Sequence, residues 1–245
     1  MDNTVNYIGG FIFPAILVLI IAYLLGSVNF SIILTRIIKK DDIRNYGSGN
    51  AGATNMLRAV GKRAAGLTFL LDFVKCAAAV TVGRLIISAV CSAIGAPPEL
   101  ANLGAYFAGL ACIIGHMFPV YFGFRGGKGV VTTAAMMVLI DWRVFILLFS
   151  VFLIVFAIRR IVSLASIVGT ALYPVGTFII TYLFDYSSSP FFPGGRMSLE
   201  YLIIVTVLSA LTGAVVVIKH RSNIKRLIAG TEKPISFKKT ENSPK

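Results

Sequence analysis

Long apolar segments alternate with short segments rich in charge and glycine along the whole chain. No residue between Asp2 and Arg36 is charged, and six further apolar runs follow. A helix that crosses a bilayer needs about 20 mostly apolar residues. The pattern therefore predicts seven membrane helices, within residues 11–34, 64–82, 100–123, 130–140, 144–158, 161–184 and 201–218.

Two of these segments, 130–140 and 144–158, are short for a membrane crossing. Residues 129–158 therefore form either two short spans or one re-entrant hairpin that is covered by protein. The chain returns to the same side of the membrane in both cases. The placement of the later loops does not depend on the choice.

The composition supports a membrane protein. Of the 245 residues, 57% are hydrophobic and only 13% are charged, whereas a soluble domain carries about 25% charged residues. The net charge of +13 would suit a nucleic-acid-binding protein. The basic residues flank apolar segments, however, so we expect no nucleic-acid partner. The fold class predicted is all-α, a polytopic membrane protein embedded in a lipid bilayer.

The distribution of Lys and Arg predicts the orientation. If alternate loops face opposite sides, 19 of the 23 basic residues fall on one side, which is the cytoplasmic side by the positive-inside rule. The N-terminus is then outside and the C-terminus is cytoplasmic. We expect one integral membrane domain over residues 1–229, followed by a polar, disordered cytoplasmic tail over residues 230–245.

The first unusual cytoplasmic segment, residues 47–58, reads GSGNAGATNMLR. It contains GxGxxG, but no strand precedes it, so a dinucleotide-binding fold is not indicated. Glycine-rich backbone can still wrap an anion, and a helix beginning near Ala53 would add its positive end. The alternative is a flexible turn with a solvated arginine. The residues predicted to bind an anion are Gly47, Ser48, Gly49, Asn50, Gly52, Thr54, Asn55 and Arg58.

The second segment, residues 115–129, ends in a glycine loop around a lysine. Its sequence differs from a Walker loop, because Gly129 stands where Ser or Thr should follow the lysine. We expect a phosphate cradle made of free backbone N–H groups and one ammonium group. His116 is either a structural histidine or part of this site. The residues predicted to bind phosphate are Gly126, Gly127, Lys128 and Gly129.

The third segment joins Ser163 to the region after the last apolar run. His220 and Asn223 are three positions apart, so they are neighbours on a helix face. Together the three segments predict one site near the cytoplasmic interface that suits an anionic, phosphate-bearing substrate. No cluster has metal-ligand spacing, so we expect neither a metal nor a cofactor. The predicted catalytic residues are Ser48, Arg58, Lys128, Ser163, His220 and Asn223.

These segments, taken together, resemble the bacterial acyl-phosphate-dependent glycerol-3-phosphate acyltransferases (the PlsY family). The motifs are long, they occur in the family's order, and they cover most of the chain. They are Leu25-Gly26-Ser27, GSGNAGATNMLR at 47–58, Leu71-Asp72-Phe73-Val74-Lys75, GHMFPVYFGFRGGKG at 115–129, Val162-Ser163-Leu164 and His220-Arg221-Ser222-Asn223-Ile224. Two departures occur away from the predicted catalytic residues, where Cys76 replaces a usual glycine and Ile161 a frequent aromatic residue.

The resemblance implies a multi-pass enzyme of the bacterial plasma membrane, with seven spans and an active site that faces the cytoplasm. It implies transfer of a fatty acyl group from acyl phosphate, not acyl-CoA, to the 1-hydroxyl of glycerol 3-phosphate. The products would be lysophosphatidic acid and phosphate, in the first acylation of phospholipid synthesis. A transient contact with the soluble enzyme that makes acyl phosphate would be possible.

Two questions remain open at this stage. The proton of the attacking hydroxyl could go to His220, positioned by Asn223, or to a phosphate oxygen of the substrate. A transporter of a small phosphorylated anion is the alternative function, since glycine-rich helix breaks and the intramembrane charges Asp72 and Lys75 would suit one. We interpret Asp72 and Lys75 instead as a packing ion pair that faces the bundle interior.

Overall fold

The computed structural model describes residues 2–186, 197–232 and 234. Within these residues, all regular secondary structure is helical, which confirms the predicted all-α class. Each of the seven apolar segments forms a helix or a helix pair. The helices are α1 (Asp2–Ser27), α2 (Phe30–Lys39), α3 (Ala53–Ala59), α4 (Lys62–Ile94), α5 (Ala101–Met117), α6 (Val130–Ile140), α7 (Trp142–Arg159), α8 (Val162–Ala171), α9 (Tyr173–Thr181), α10 (Leu199–Lys219) and α11 (Arg221–Ile228).

The lengths of the helices determine how many can cross a bilayer. In the described part of the chain, five helical stretches are long and apolar enough, and the pair α8–α9, bent by 42°, makes a sixth. The 11 residues of α6 reach only about 16 Å at 1.5 Å per residue, about half of the hydrocarbon thickness. The fold therefore contains five or six candidate spans, and the seventh predicted span rests on the short α6.

The centre of the bundle is formed by α1, α4 and α5, which approach each other through small residues. A Cβ atom on Gly83 would lie 2.5 Å from the carbonyl oxygen of Gly104. A Cβ atom on Gly26 would overlap the backbone of Cys112. Close backbone approach through small residues is how helices associate in lipid, where apolar burial between helices gains little. Cys112 is fully buried at one such crossing.

The chain reverses direction between α6 and α7 at an ion-pair cluster. Asp141 ends α6 and caps α7, its carboxylate accepting from the backbone N–H of Arg143 at 2.9 Å. The Arg143 guanidinium bridges Asp141 and Asp185 at 2.8 and 2.7 Å. Lys128, which precedes α6, therefore lies one helix length from this cluster. The site described next lies at the Lys128 end.

Candidate active site

The first glycine loop is shaped from inside by Asn55. Its side-chain oxygen accepts from the backbone N–H of Ser48 at 3.0 Å, and its amide donates to the carbonyls of Ile43 and Tyr46 at 3.2 and 2.9 Å. Gly47 has φ +56°, and a Cβ atom there would overlap the Asn55 side chain. The loop therefore needs glycine beside Asn55, and Asn55, 1% exposed, acts mainly as its internal support.

This loop leads into α3, which starts at Ala53 as predicted. The exposed side chains of Ser48 and Arg58 border one cavity, together with the loop residues Gly47, Asn50, Gly52 and Thr54. Gly49 does not border the cavity. Its backbone N–H donates to the carbonyl of Tyr46 at 2.9 Å in the turn. Gly49 therefore closes the loop without contributing to the cavity wall.

The second glycine loop differs from the expected cradle of free N–H groups. The N–H of Gly126 donates to the carbonyl of Met117 at 3.2 Å, and that of Gly127 to the carbonyl of His116 at 3.0 Å. Both glycines allow close packing on the end of α5, because a Cβ atom on either would overlap His116. Neither glycine borders the cavity, and both amides are occupied by backbone hydrogen bonds, so substrate binding by Gly126 and Gly127 stays a prediction.

Lys128 and Gly129 do border the cavity. Gly129 has φ +83°, a left-handed conformation that favours glycine. Burial lowers the pKa of Lys128 to about 8, and the nearby Arg226 and Arg58 act in the same direction, against the opposite effect of Glu232. An anion placed beside this ammonium group would relieve both penalties. The loop thus presents one partly desolvated cation where a phosphate would be most favoured.

Ser163, Asn223 and Glu232 form a hydrogen-bonded cluster on another wall of the cavity. The Ser163 hydroxyl and the Asn223 amide both donate to Oε1 of Glu232 at 2.7 Å. The guanidinium Nε of Arg226 donates to Oε2 at 2.6 Å. Burial would raise the pKa of Glu232, but these three hydrogen bonds outweigh it and the pKa is lowered. Glu232 is therefore a carboxylate that orients two predicted catalytic side chains.

Glu232 is a site residue that the sequence analysis missed. It falls in the segment predicted as a disordered tail, and the rest of that tail, residues 233 and 235–245, lies outside the described residues. Gly230, with φ +67°, ends α11, and the N–H of Glu232 donates back to the carbonyl of Arg226 at 3.2 Å. A glycine just after a helix was the available signal for this turn, but nothing local indicated where the turn would place a carboxylate.

His220 is 2% exposed and borders the cavity. Its Nδ1 lies 2.8 Å from the carbonyl oxygen of Val216. A carbonyl oxygen can only accept, so Nδ1 carries the proton and Nε2 is left with a lone pair. Burial lowers the pKa of His220 to about 4, with Lys128 adding to the effect. The imidazole is therefore neutral at physiological pH and acts as a hydrogen-bond acceptor at Nε2.

The cavity that joins these groups has a volume of about 1130 Å³. All six predicted catalytic residues border it, as do all predicted binding residues except Gly49, Gly126 and Gly127. Its cationic and hydrogen-bonding groups come from the two glycine loops, from Arg58 in α3, from Ser163 in α8 and from the region after α10. Its apolar wall comes mainly from helices, and includes Leu57, Phe69, Val130, Val131 and Phe152. The same space can thus hold an anionic group and an apolar chain.

One of the intramembrane charges, Asp72, also borders this cavity. Asp72 and Lys75 form an ion pair at 2.7 Å, with side chains only 3% and 4% exposed. The interpretation of a pair that faces the bundle interior is confirmed. Asp72 also lies 3.6 Å from Nδ1 of His116, and both residues border the cavity. Asp72 is ten residues into α4, about 15 Å along the helix from Lys62, so the cavity extends deep into the bundle.

The fold defines a helical membrane protein, and its cavity combines cationic side chains with an apolar wall. The chain belongs to the glycerol-3-phosphate acyltransferase family, whose model matches residues 16–230. The resemblance seen in the sequence motifs is thereby confirmed. Of the two functions left open by the residues, transport and acyl transfer, family membership supports acyl transfer to glycerol 3-phosphate.

Several relatives and two solved structures extend the match over nearly the whole chain. The glycerol-3-phosphate acyltransferase of Thermoanaerobacter pseudethanolicus is 37% identical over 224 residues, covering 91% of this chain and 97% of its own. That of Clostridioides difficile is 37% identical over 228 residues, covering 93% and 98%.

Two crystal structures of PlsY, described as an integral membrane glycerol 3-phosphate acyltransferase, share the fold. The glycerol 3-phosphate form has a TM-score of 0.68 at 35% identity, covering 91% of this chain and 96% of its own. The lysophosphatidic acid form has a TM-score of 0.68 at 33% identity, covering 91% and 95%.

Proposed function

We propose that this protein transfers a fatty acyl group from acyl phosphate to the 1-hydroxyl of glycerol 3-phosphate, giving lysophosphatidic acid and inorganic phosphate. One observation carries the proposal: Lys128 and Arg58 border the same cavity as the apolar side chains Phe69 and Phe152. Both substrates are anionic, and one carries a long apolar chain. The relatives crystallised in glycerol 3-phosphate and lysophosphatidic acid forms support the acceptor and the product.

The chemistry requires little covalent help from the protein. The hydroxyl oxygen attacks the carbonyl carbon of the acyl phosphate, an ester bond forms, and the bond to phosphate breaks. Two phosphate groups then need neutralisation, which Lys128 and Arg58 supply as preorganised charges. Ser48 and Ser163 can donate hydrogen bonds to phosphate or to the developing oxyanion. An acyl phosphate is already activated, so no enzyme nucleophile is needed.

The proton of the attacking hydroxyl goes to a phosphate oxygen in this mechanism. A phosphate monoester has a second pKa near 6, whereas burial lowers the pKa of His220 to about 4. The imidazole is the weaker base by roughly a hundredfold in the free enzyme. His220 instead accepts a hydrogen bond at Nε2 and orients the hydroxyl, and Asn223 lies beside it on the first turn of α11.

We further propose that the protein lies in the bacterial plasma membrane with seven crossings, an outside N-terminus and an active site that faces the cytoplasm. The count of basic residues in alternate loops supports this orientation. Soluble glycerol 3-phosphate would then reach the cavity from the cytoplasm, and the soluble enzyme that makes acyl phosphate could dock there transiently. Glu232, which follows the predicted boundary at residue 229, also borders the cavity, and we include it in the proposed site.

The proposal is tested by incubating purified protein with a long-chain acyl phosphate and glycerol 3-phosphate, and measuring lysophosphatidic acid and phosphate. Acyl-CoA serves as the comparison donor. We expect one phosphate released for each lysophosphatidic acid formed, and no product from acyl-CoA. Equal or better turnover with acyl-CoA would exclude the proposed donor while leaving the acyltransferase family assignment intact.

A further inference from the structure

Beneath the two glycine loops lies a buried polar cluster that the proposed mechanism does not use, formed by Asp72, Lys75 and His116. Their side chains are at most 6% exposed. Ionisable groups within a membrane bundle are costly, because they lose hydration that their partners only partly replace. A pair kept only for helix packing could be replaced by apolar residues at little cost. The position of this cluster, against the cavity, suggests a role in the site.

Lys75 and Asp72 fix the state and the direction of the His116 ring. The Lys75 ammonium group lies 3.0 Å from Nδ1 of His116 and 2.6 Å from the carbonyl oxygen of Val28. An ammonium group can only donate, so Nδ1 accepts and the ring proton is on Nε2. Asp72, 2.7 Å from Lys75, neutralises the ammonium charge. The ring therefore turns its N–H edge away from the cluster.

That edge of His116 lies against Gly127, at a point where Gly127 also lies close to the first glycine loop. A Cβ atom on Gly127 would overlap Nε2 of His116 and would lie 2.7 Å from the carbonyl oxygen of Ala51. Gly127 belongs to the loop that carries Lys128, and Ala51 to the loop that carries Ser48. The carbonyl oxygen of His116 also accepts the Gly127 N–H at 3.0 Å. One residue thus contacts, through its ring and its backbone, the segment directly before Lys128.

We propose that His116, oriented by Lys75 and Asp72, is a positioning residue that sets the place of the Lys128 ammonium group relative to the first glycine loop. The inference rests on the proposed function in one respect, namely that Lys128 binds a substrate phosphate. A displacement of about 1 Å in a catalytic group can cost a hundredfold in rate. A small shift of the His116 ring would reach Lys128 through a single intervening residue.

The test is a double-mutant cycle on the full-length protein in detergent, made from His116→Gln, Lys128→Ala and both together. The quantity compared is KM for the substrate whose binding Lys128→Ala weakens. If His116 acts through Lys128, we expect His116→Gln to raise this KM at least about tenfold in the native background. In the Lys128→Ala background the same change should raise it less than about twofold, because the group being positioned is gone.

Two further variants separate positioning from packing. His116→Asn places a carboxamide oxygen near the position of Nδ1, where Lys75 can still donate, but its side chain is too short to reach Gly127, so its KM should rise at least as much as that of His116→Gln. Asp141→Asn is the matched control, since it removes a partly buried partner of Arg143 at the far end of α6. It should lower the melting temperature and leave KM unchanged.

Equal losses from His116→Gln in both backgrounds, or a native KM in that variant, would overturn the inference. If His116→Gln is not recovered folded, the cycle is made with Asp72→Asn and read in the same way. If the native protein forms no lysophosphatidic acid, the proposed function fails. The quantity compared in the four proteins of the cycle is then the rise in melting temperature that glycerol 3-phosphate causes. The absence of that rise in the native protein as well would reject both.

Discussion

The hydroxyl of Ser163 donates a 2.7 Å hydrogen bond to the carboxylate of Glu232, 69 positions later in the chain. Ser163 lies at the start of α8, and Glu232 lies in the turn after α11. The bond therefore joins the third sequence motif to a segment that the sequence pattern assigned to a tail. It makes the orientation of a proposed catalytic hydroxyl depend on the C-terminal region.

The first prediction concerns Glu232. Replacing it by alanine leaves Ser163 and Asn223 without their common acceptor, and should lower kcat/KM by about 10- to 100-fold, the effect of one hydrogen bond to a charged group. Glu232→Gln keeps a carbonyl acceptor but loses the charge that pairs with Arg226, so its kcat/KM should lie between those of the native protein and Glu232→Ala. Glu200→Gln, on an exposed residue in the first turn of α10, is the control. Native kinetics in Glu232→Ala would show that the carboxylate is not needed to orient the site.

The second prediction concerns the two cations of the glycine loops. Arg58→Ala and Lys128→Ala should each lower kcat/KM by about 30- to 1000-fold, because each removes roughly 2–4 kcal/mol of transition-state stabilisation. Lys128→Arg should recover only part of the activity, since a planar guanidinium does not fit where a compact ammonium group does. Arg63→Ala, on an exposed residue of α4, should be nearly native. Initial rates measured on folded, purified variants test this prediction. Near-native activity in either alanine variant would contradict it.

The third prediction follows from the pKa of Lys128, which is lowered to about 8. The group is charged below this pKa and becomes neutral as the pH rises through it. KM for the phosphate substrate bound there should therefore increase above pH 8, approaching tenfold per pH unit. In Lys128→Arg the increase should be absent, since a guanidinium stays charged throughout this range. Measuring KM for each substrate between pH 7 and pH 10 tests this. A flat profile in the native enzyme would show that Lys128 does not titrate in this range.

The fourth prediction concerns His220. Because its pKa is lowered to about 4, the loss of activity on the acid side near pH 6 should belong to the substrate phosphate and not to His220. That limb should persist in His220→Gln, which can accept a hydrogen bond through its side-chain oxygen and should retain much of kcat. His220→Ala, which has no acceptor at this position, should have a lower kcat than His220→Gln. The pH profiles of kcat for the three proteins provide the check. A limb that disappears in His220→Gln, together with loss of turnover at unchanged KM, would make His220 the base.

The fifth prediction concerns the orientation in the membrane. A cysteine in place of the exposed Lys225 should react with a membrane-impermeant thiol reagent only in inverted vesicles. One in place of the exposed Glu200 should react only in right-side-out cells. The native cysteines Cys76, Cys91 and Cys112 are buried and provide the background value. The reverse labelling pattern would place the active site outside.

Much of the fold could be predicted from the sequence, because the formation of each membrane helix depends on the local composition of its segment. Apolar length decides whether a segment is stable as a helix in lipid, so the seven apolar runs predicted the observed helical segments. The same holds for the start of α3 at Ala53, where glycines give way to helix-forming residues. The bend between α8 and α9 was not predicted, because both helices fall within one uninterrupted apolar run.

The membership of the site was also largely present in the sequence. Glycines and cations between apolar helices are conspicuous, and all six predicted catalytic residues border one cavity. The roles within it were decided by tertiary contacts. Gly126 and Gly127 pack on His116 and do not border the cavity, because the end of α5 lies under their loop. Glu232 entered the site through the turn at Gly230, which has no catalytic signature of its own.

The chemical states of the site depend on the folded structure for a physical reason. A pKa is set by burial and by neighbouring charges, and these are brought together only when distant helices pack. The sequence identified His220 as a titratable group near neutral pH, whereas its burial and the nearby Lys128 keep it neutral. Its bond to Val216 leaves Nε2 as the acceptor. Apolar length and loop composition thus determined the helices and most residues of the candidate site, and helix packing determined which atoms face the cavity and which of them carry charge.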